Sequence, residues 1–350
     1  MELILKDHTR FHGTSFGAHT ARAGEVVFNT GMVGYVESLT DPSYAGQILV
    51  LTSPLIGNYG VPDAVFFESS RIHAKGLIVS EYSEAYSHAR AKQSLGAWLK
   101  REGVPALTGV DTRALTKKLR EHGTMLGALS NAGTRTPWYD PDTENQVARV
   151  SIREKKTYGS GAITIALVDC GAKENIIRLL QKSDVRVVRV PWEYDFTREH
   201  YDGVLISSGP GNPTFCKETI RNIRKAYALE KPMLGICLGT QLMALAAGAK
   251  TYKLPYGHRS HNQPCIDRIG GKRCYITSQN HSFAVNEKTL PRAWEVWMEN
   301  ANDRTVEGII HKTLPFKAVQ FHPEASPGPT DTEWIINEFI ETVRTSAKRK

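Results

Sequence analysis

Hydrophobic and polar positions are arranged in two different ways along this chain. Up to about residue 130 the apolar residues come in short runs bounded by Gly and Pro, such as GEVVFNTG (24–31), GQILVLTSP (46–54) and HAKGLIVSEY (73–82), and these predict strands. Two helices follow, near Ser94–Glu102 and Asp111–His122, the second opened by an Asp/Thr cap and stopped at Gly123. Residues 1–135 are therefore expected to form a compact mixed domain with a β core. Residues 136–161 lose periodicity and gather Pro, Asp, Thr and Lys, which predicts an interdomain connection. From Ile163 the pattern becomes AITIALVDC, KENIIRLLQKS, VRVVRV and YDGVLISSGPGNP, strands and helices in alternation. That alternation over 162–345 predicts an α/β domain whose parallel sheet carries helices on both faces. Residues 346–350 read as a polar tail or linker.

Within the second domain, KPMLGICLGTQLMALAAG (231–248) is the stretch with the clearest chemistry. A short apolar run reaches Cys237, and Gly239 with an apolar-periodic segment follows at once, predicting a tight strand-to-helix turn. Such a turn lifts a nucleophile out of the sheet edge and aims the first free N–H groups of the helix at it, which favours a thiolate. The bland alternative is a small apolar residue packed under a helix. Glycines at both −2 and +2 argue against it, because a structural cysteine has no need of them.

Functional loops of a parallel sheet gather at the carboxyl ends of its strands, so distant segments can meet at Cys237. Three segments are expected at such ends. Ser207–Pro213 (SSGPGNP) follows the strand GVLI, and its glycines let backbone N–H groups approach a ligand closely; it lacks the Lys-Ser/Thr of a P-loop and the spacing of a dinucleotide fingerprint. Gln279–Phe283 (QNHSF) reads by itself as a plain loop. In AVQFHPE (318–324) the apolar run delivers His322, and Glu324, two residues on, is expected on the same side of an extended segment enforced by Pro323. A histidine held by a carboxylate and facing a cysteine would make a nucleophilic triad.

Composition adds limits. With 350 residues the chain can bury two cores, and 44 Lys and Arg against 36 Asp and Glu give a mild excess of +8. The basic residues are scattered and no nucleic-acid-binding motif accompanies them, so no nucleic-acid partner is expected. Five cysteines with no CxxC pair read as reduced thiols of an intracellular, cytoplasmic protein without a metal site. No segment approaches the roughly 20 apolar residues that would span a bilayer, so no membrane partner is expected.

GPGNP (209–213), GICLGTQ (235–241), QNHSF (279–283) and FHPEASPGP (321–329) together resemble a class I, triad-type glutamine amidotransferase. GEVVFNTGMVGYVESLTDPSYAGQILVLTSPLIGNYG (24–60), GVDTRALTKKLREHG (109–123) and GAKTYKLPYGHRSHNQPC (248–265) resemble more narrowly the glutaminase small subunit or domain of carbamoyl phosphate synthetase, in wording close to the eukaryotic fused forms. The resemblance implies a flavodoxin-like C-terminal domain, with a parallel or mixed sheet, beside a smaller N-terminal domain. It implies that Cys237, His322 and Glu324 are the triad that hydrolyses glutamine. It further implies that Ser43, Gly209, Gly211, Leu238, Gln241, Asn280, Ser282 and Phe283 contact glutamine, with the N–H groups of Leu238 and Gly209 as oxyanion donors. Ser282, Thr240 and Asn212 stand where the family more often has glycine, histidine and aspartate; Ser282 is tolerable unless its φ must be positive. No cofactor is expected in this chain, since ATP, magnesium and bicarbonate would belong to a synthetase partner. An amidotransferase with another acceptor and an inactive docking module are the competing readings.

Overall fold

The computed structural model describes every residue except Ala132, Thr134, Arg135, Lys272, Arg349 and Lys350. Its contacts divide the chain into two compact units, Met1–Glu144 and Asn145–Lys350. Among the described residues no helix is long and apolar enough to cross a membrane.

The first unit is built on an eight-stranded sheet. Its middle is parallel, with Arg22–Asn29, Gln47–Leu51, Gly76–Ile78 and Ala106–Thr108 side by side. Met125–Ser130 and Glu2–Leu5 extend it antiparallel. The three short runs singled out in the sequence each supply one of the central strands, and their apolar residues fill a core around Leu49, Leu77, Tyr35 and Trp98. Leu95–Arg101 and Thr112–His122 are the two expected helices, capped by the side chains of Ser94 and Asp111.

The second unit carries a ten-stranded mixed sheet. Val185–Pro191, Ile163–Asp169, Gly203–Ile206, Met233–Ile236 and Phe316–Val319 run parallel, in that spatial order. Val306–His311, Trp294–Asn300, Thr251–Asp267 and Cys274–Val285 then continue it antiparallel. Helices Lys217–Tyr227 and Leu238–Ala247 pack on one face around Ile223, Leu242 and Phe316, and Glu174–Gln181 and Trp334–Lys348 on the other around Ile177, Val187 and Ile336. Burying one such Leu, Ile or Phe stabilises the fold by roughly 1.5–3 kcal/mol.

Two expectations are corrected here. The stretch expected to be a connection contains regular structure of the second unit: Val147 is buried in its core, and Lys156–Tyr158 pairs antiparallel with Val185–Pro191 as an edge strand. An edge strand needs only one apolar side and three residues, too few to show periodicity. The supposed tail is helical through Lys348, because Ile336, Phe339, Ile340 and Val343 anchor the same helix four turns long; residues 349 and 350 lie outside those described.

Candidate active site

The strand Met233–Ile236 ends at Cys237, whose N–H donates to Val319 O at 2.8 Å and so prolongs the parallel pairing by one residue. The chain then turns into helix Leu238–Ala247 through a Cys237 backbone at φ 54° and ψ −104°, a conformation that costs a non-glycine residue about 1–3 kcal/mol. Both flanking glycines are required by close approach. A Cβ on Gly239 would lie 2.2 Å from Ile206 O, and one on Gly235 would lie 2.7 Å from Met243 Sδ. Leu238 opens the helix, so its N–H has no acceptor one turn back within it. The glycine loop after Gly203–Ile206 comes against this helix start: a Cβ on Gly209 would meet Cys170 O at 2.1 Å and Leu238 Cδ2 at 2.9 Å.

His322 reaches the same place from the end of strand Phe316–Val319. Its N–H donates to Ser278 O at 2.9 Å, which pins it to strand Cys274–Val285. Its Nδ1 lies 2.6 Å from Glu324 Oε1, its Nε2 is buried with no protein atom at full hydrogen-bonding geometry, and the Cys237 side chain acts on the ring. The carboxylate is delivered otherwise than expected. Residues 322–325 form a turn closed by Ala325 N donating to His322 O at 3.1 Å, so the acid folds back on the ring instead of sharing one side of an extended segment.

Behind this pair sits a group the sequence reading missed. The Asp169 carboxylate accepts from the N–H groups of Gly171 and Ala172 and from Arg189 Nε, and thereby shapes the loop that presents Lys173. Lys173 Nζ lies 3.2 Å from Glu324 Oε1 and donates to Ala325 O, while Asn175 Nδ2 donates to Glu324 O. Burial alone would push Glu324 up, but Lys173 and His322 more than offset it and hold the carboxyl well below its usual range. Burial likewise disfavours a charged His322, yet Glu324 and Cys237 raise it above the ordinary imidazole value. Lysine, carboxylate and imidazole thus follow one another in a buried line that ends at the Cys237 side chain. Such a line tolerates loss from water only because each charge meets its opposite. Lys173 follows a strand end directly, in DCGAKEN, which is the signal that could have found it.

The remaining residues fall as follows. Asn280 O accepts from Cys237 Sγ at 3.7 Å, and Phe283 O accepts from Gln241 Nε2 and His281 Nδ1, each at 2.9 Å. The segment Gln279–Phe283 is therefore no loop but the middle of strand Cys274–Val285, irregularly paired with Thr251–Asp267. Its polar residues are buried by the site and not by an apolar core, which is why they read as a loop. Ser282 has no positive φ, so the position accepts a side chain, and its Oγ accepts from Arg259 Nη2. Gly211 does take a positive φ, 81°. Ser43 belongs to the first unit, in the turn Pro42–Tyr44, with a buried Oγ that has no hydrogen-bond partner. Gln320, also missed, is fully buried and donates from Nε2 to Cys237 Sγ at 3.6 Å.

One further cluster spans three strands, with His258 on Thr251–Asp267, His281 on Cys274–Val285 and Glu307 on Val306–His311. Ligand atoms of His258, His281 and Glu307 come within 4.8 Å of one another, a set able to hold a metal ion. His258 Nε2 lies 2.7 Å from Asp303 Oδ2 and its Nδ1 3.3 Å from Glu307 Oε1, so the buried Glu307 has a counter-charge from protein alone.

Comparison with known proteins gives the family. Residues 166–342 match the family described as glutamine amidotransferase class-I, and residues 3–129 match the carbamoyl-phosphate synthase small chain, CPSase domain. The chain is 52% identical over 356 residues to multifunctional protein CAD of Squalus acanthias, covering 98% of this chain and 16% of that protein. It is 49% identical over 386 residues to multifunctional protein URA2 of Saccharomyces cerevisiae, covering 98% and 17%. With the mitochondrial carbamoyl-phosphate synthase [ammonia] of Aquarana catesbeiana it shares 47% identity over 355 residues, covering 98% and 24%. The chain therefore spans less than a quarter of the length of each of these relatives.

Proposed function

Because the chain belongs to the class-I glutamine amidotransferases and carries a carbamoyl-phosphate synthase small-chain domain ahead of the amidotransferase domain, we propose that it hydrolyses glutamine to supply ammonia for carbamoyl phosphate formation. The observation that supports this most is the buried line of alternating charge from Lys173 through Glu324 to His322, on which the Cys237 side chain acts.

The Cys237 thiolate attacks the side-chain carbonyl carbon of glutamine. The negative charge that develops on the carbonyl oxygen is taken by the N–H groups of Leu238 and Gly209; removing one such donor typically costs on the order of 3 kcal/mol of barrier. His322, already protonated by virtue of its neighbours, gives its proton to the departing nitrogen. The carbon–nitrogen bond breaks, ammonia leaves and a γ-glutamyl thioester remains. The now neutral imidazole takes a proton from water, hydroxide adds to the thioester, and glutamate leaves as the sulfur regains its negative charge and His322 its proton. Glu324 holds Nδ1 throughout, and Lys173 keeps Glu324 ionised. Glutamine is gripped by Gln241, Asn280, Ser282 and Phe283 and by the backbone of Gly209 and Gly211.

ATP, magnesium and bicarbonate act in a synthetase portion, either a separate subunit or part of the same polypeptide; the greater length of the relatives supports the latter. The carbamoyl phosphate would serve pyrimidine or arginine synthesis. We place the protein in the cytoplasm, which its five unpaired cysteines support. Glutamate release from glutamine, measured for the protein together with its synthetase portion and for Cys237→Ala, tests the reading. Release that survives the substitution, or none in the unsubstituted protein, ends it.

A further inference from the structure

Gln320 and Gln241 are both buried, and their amides can be oriented without ambiguity. Phe283 O is a main-chain carbonyl and only accepts, so the Gln241 atom at 2.9 Å from it is the NH2 nitrogen. The second hydrogen of that nitrogen goes to Gln320 at 3.1 Å, which fixes the Gln320 atom there as oxygen. The Gln320 nitrogen is then left facing Cys237 Sγ at 3.6 Å. One backbone carbonyl thus dictates a relay of two amides that ends on the sulfur. At the other end of the relay, Gln241 Oε1 is buried without any partner, an acceptor awaiting a donor.

We propose that Gln320 is a positioning residue of this site, one that donates to the Cys237 sulfur and locks Gln241 with its carboxamide oxygen toward the α-ammonium group of the substrate. The proposal rests on the glutaminase reading above. A donor on sulfur favours its anionic form. The locked oxygen selects a ligand that brings an N–H cation, and it would leave an unpaired buried acceptor against an analogue lacking the amino group. The backbone of Gln320 supports the placement: its N–H donates to Glu307 O at 2.8 Å, and Cys237 N–H bonds Val319 O in the next strand position.

Two variants separate the two roles. Gln320→Leu removes donor and acceptor together. Gln320→Glu keeps an acceptor for Gln241 at every pH but offers the sulfur a donor only while protonated. The readouts are KM and kcat for glutamine and the pH profile of Cys237 alkylation by a chloroketone analogue of glutamine, followed by mass spectrometry. For Gln320→Leu, KM is expected to rise about tenfold, the loss of one to two hydrogen bonds, and alkylation to need a higher pH. For Gln320→Glu, KM is expected to stay close to the parent value while alkylation, relative to the parent protein, falls as pH rises. A merely structural glutamine would give no such pH signature. If Gln320→Leu does not fold, the Gln320→Glu profile decides alone. Unchanged profiles and KM in a turning-over enzyme overturn the proposal by itself, whereas no Cys237-dependent turnover in the parent protein overturns the glutaminase reading beneath it.

Discussion

At the scale of single residues, the elbow is where sequence and strain meet. Cys237 holds a backbone conformation that only its surroundings enforce, and Gly239 is part of that enforcement, since Ile206 O occupies the space a side chain would need. Gly239→Ala must push the helix start away from the sheet. We expect a loss of about 1–3 kcal/mol in urea unfolding, and a fall in glutamate release beyond what the unfolded fraction explains, because the sulfur moves with the turn. Wild-type release at full folding would contradict the role given to the close approach. Cys237, His322 and Glu324 were legible as a set because each stands at or just past the end of an apolar run, and the topology of a parallel sheet brings such ends together. Lys173 and Gln320 were not: a place just past a strand end marks Lys173 only weakly, and nothing local distinguishes an amide ending a strand from an ordinary polar residue. Their partners are 151 and 83 positions away, Glu324 and Cys237 respectively.

At the scale of elements, caps were readable and buried polar strands were not. Asp111 stands before an amphipathic run and its Oδ1 accepts from Ala114 N at 2.8 Å. Asp111→Ala is expected to lower the stability of the first unit by about 1 kcal/mol, measurable as a shift in the unfolding midpoint, with no change in glutamine turnover beyond that. The strands Thr251–Asp267 and Cys274–Val285 were hidden because polar His258, Asn280 and His281 occupy them, and the burial of the histidines is made tolerable by Asp303 and Glu307 for His258 and by Phe283 O and Gln279 Oε1 for His281. His258 is the clearest case. Burial disfavours its charge, but Asp303 and Glu307 more than offset this and hold it up to about 9. A folded-state value above the unfolded one means that the ion pairs stabilise fully below pH about 6.5 and lose that contribution as pH rises through about 9. His258→Asn should therefore be destabilised by roughly 2–3 kcal/mol near pH 6, with the deficit shrinking toward pH 10. A deficit independent of pH would mean that His258 contributes by shape alone.

At the scale of the whole molecule, the chain has two compact units, and Lys173, Cys237, His322 and Glu324 all lie in the second. The sequence has no P-loop pattern, and the part proposed for this chain is the release of ammonia. If ammonia is what passes from this portion to the synthetase portion, then the nucleophile should matter only for making it. In the complete protein, Cys237→Ala is expected to reduce glutamine-dependent carbamoyl phosphate formation by on the order of 10³-fold or more, as loss of a nucleophile does elsewhere. The same variant given an ammonium salt at saturating concentration should form carbamoyl phosphate at close to the parent rate, because ammonia is then supplied from solution. The two assays differ only in nitrogen source, so misfolding would lower both and cannot imitate the pattern. Loss of ammonium-dependent synthesis in a folded Cys237→Ala protein would show that the sulfur does more than liberate ammonia, and the division of labour proposed for this chain would have to be abandoned.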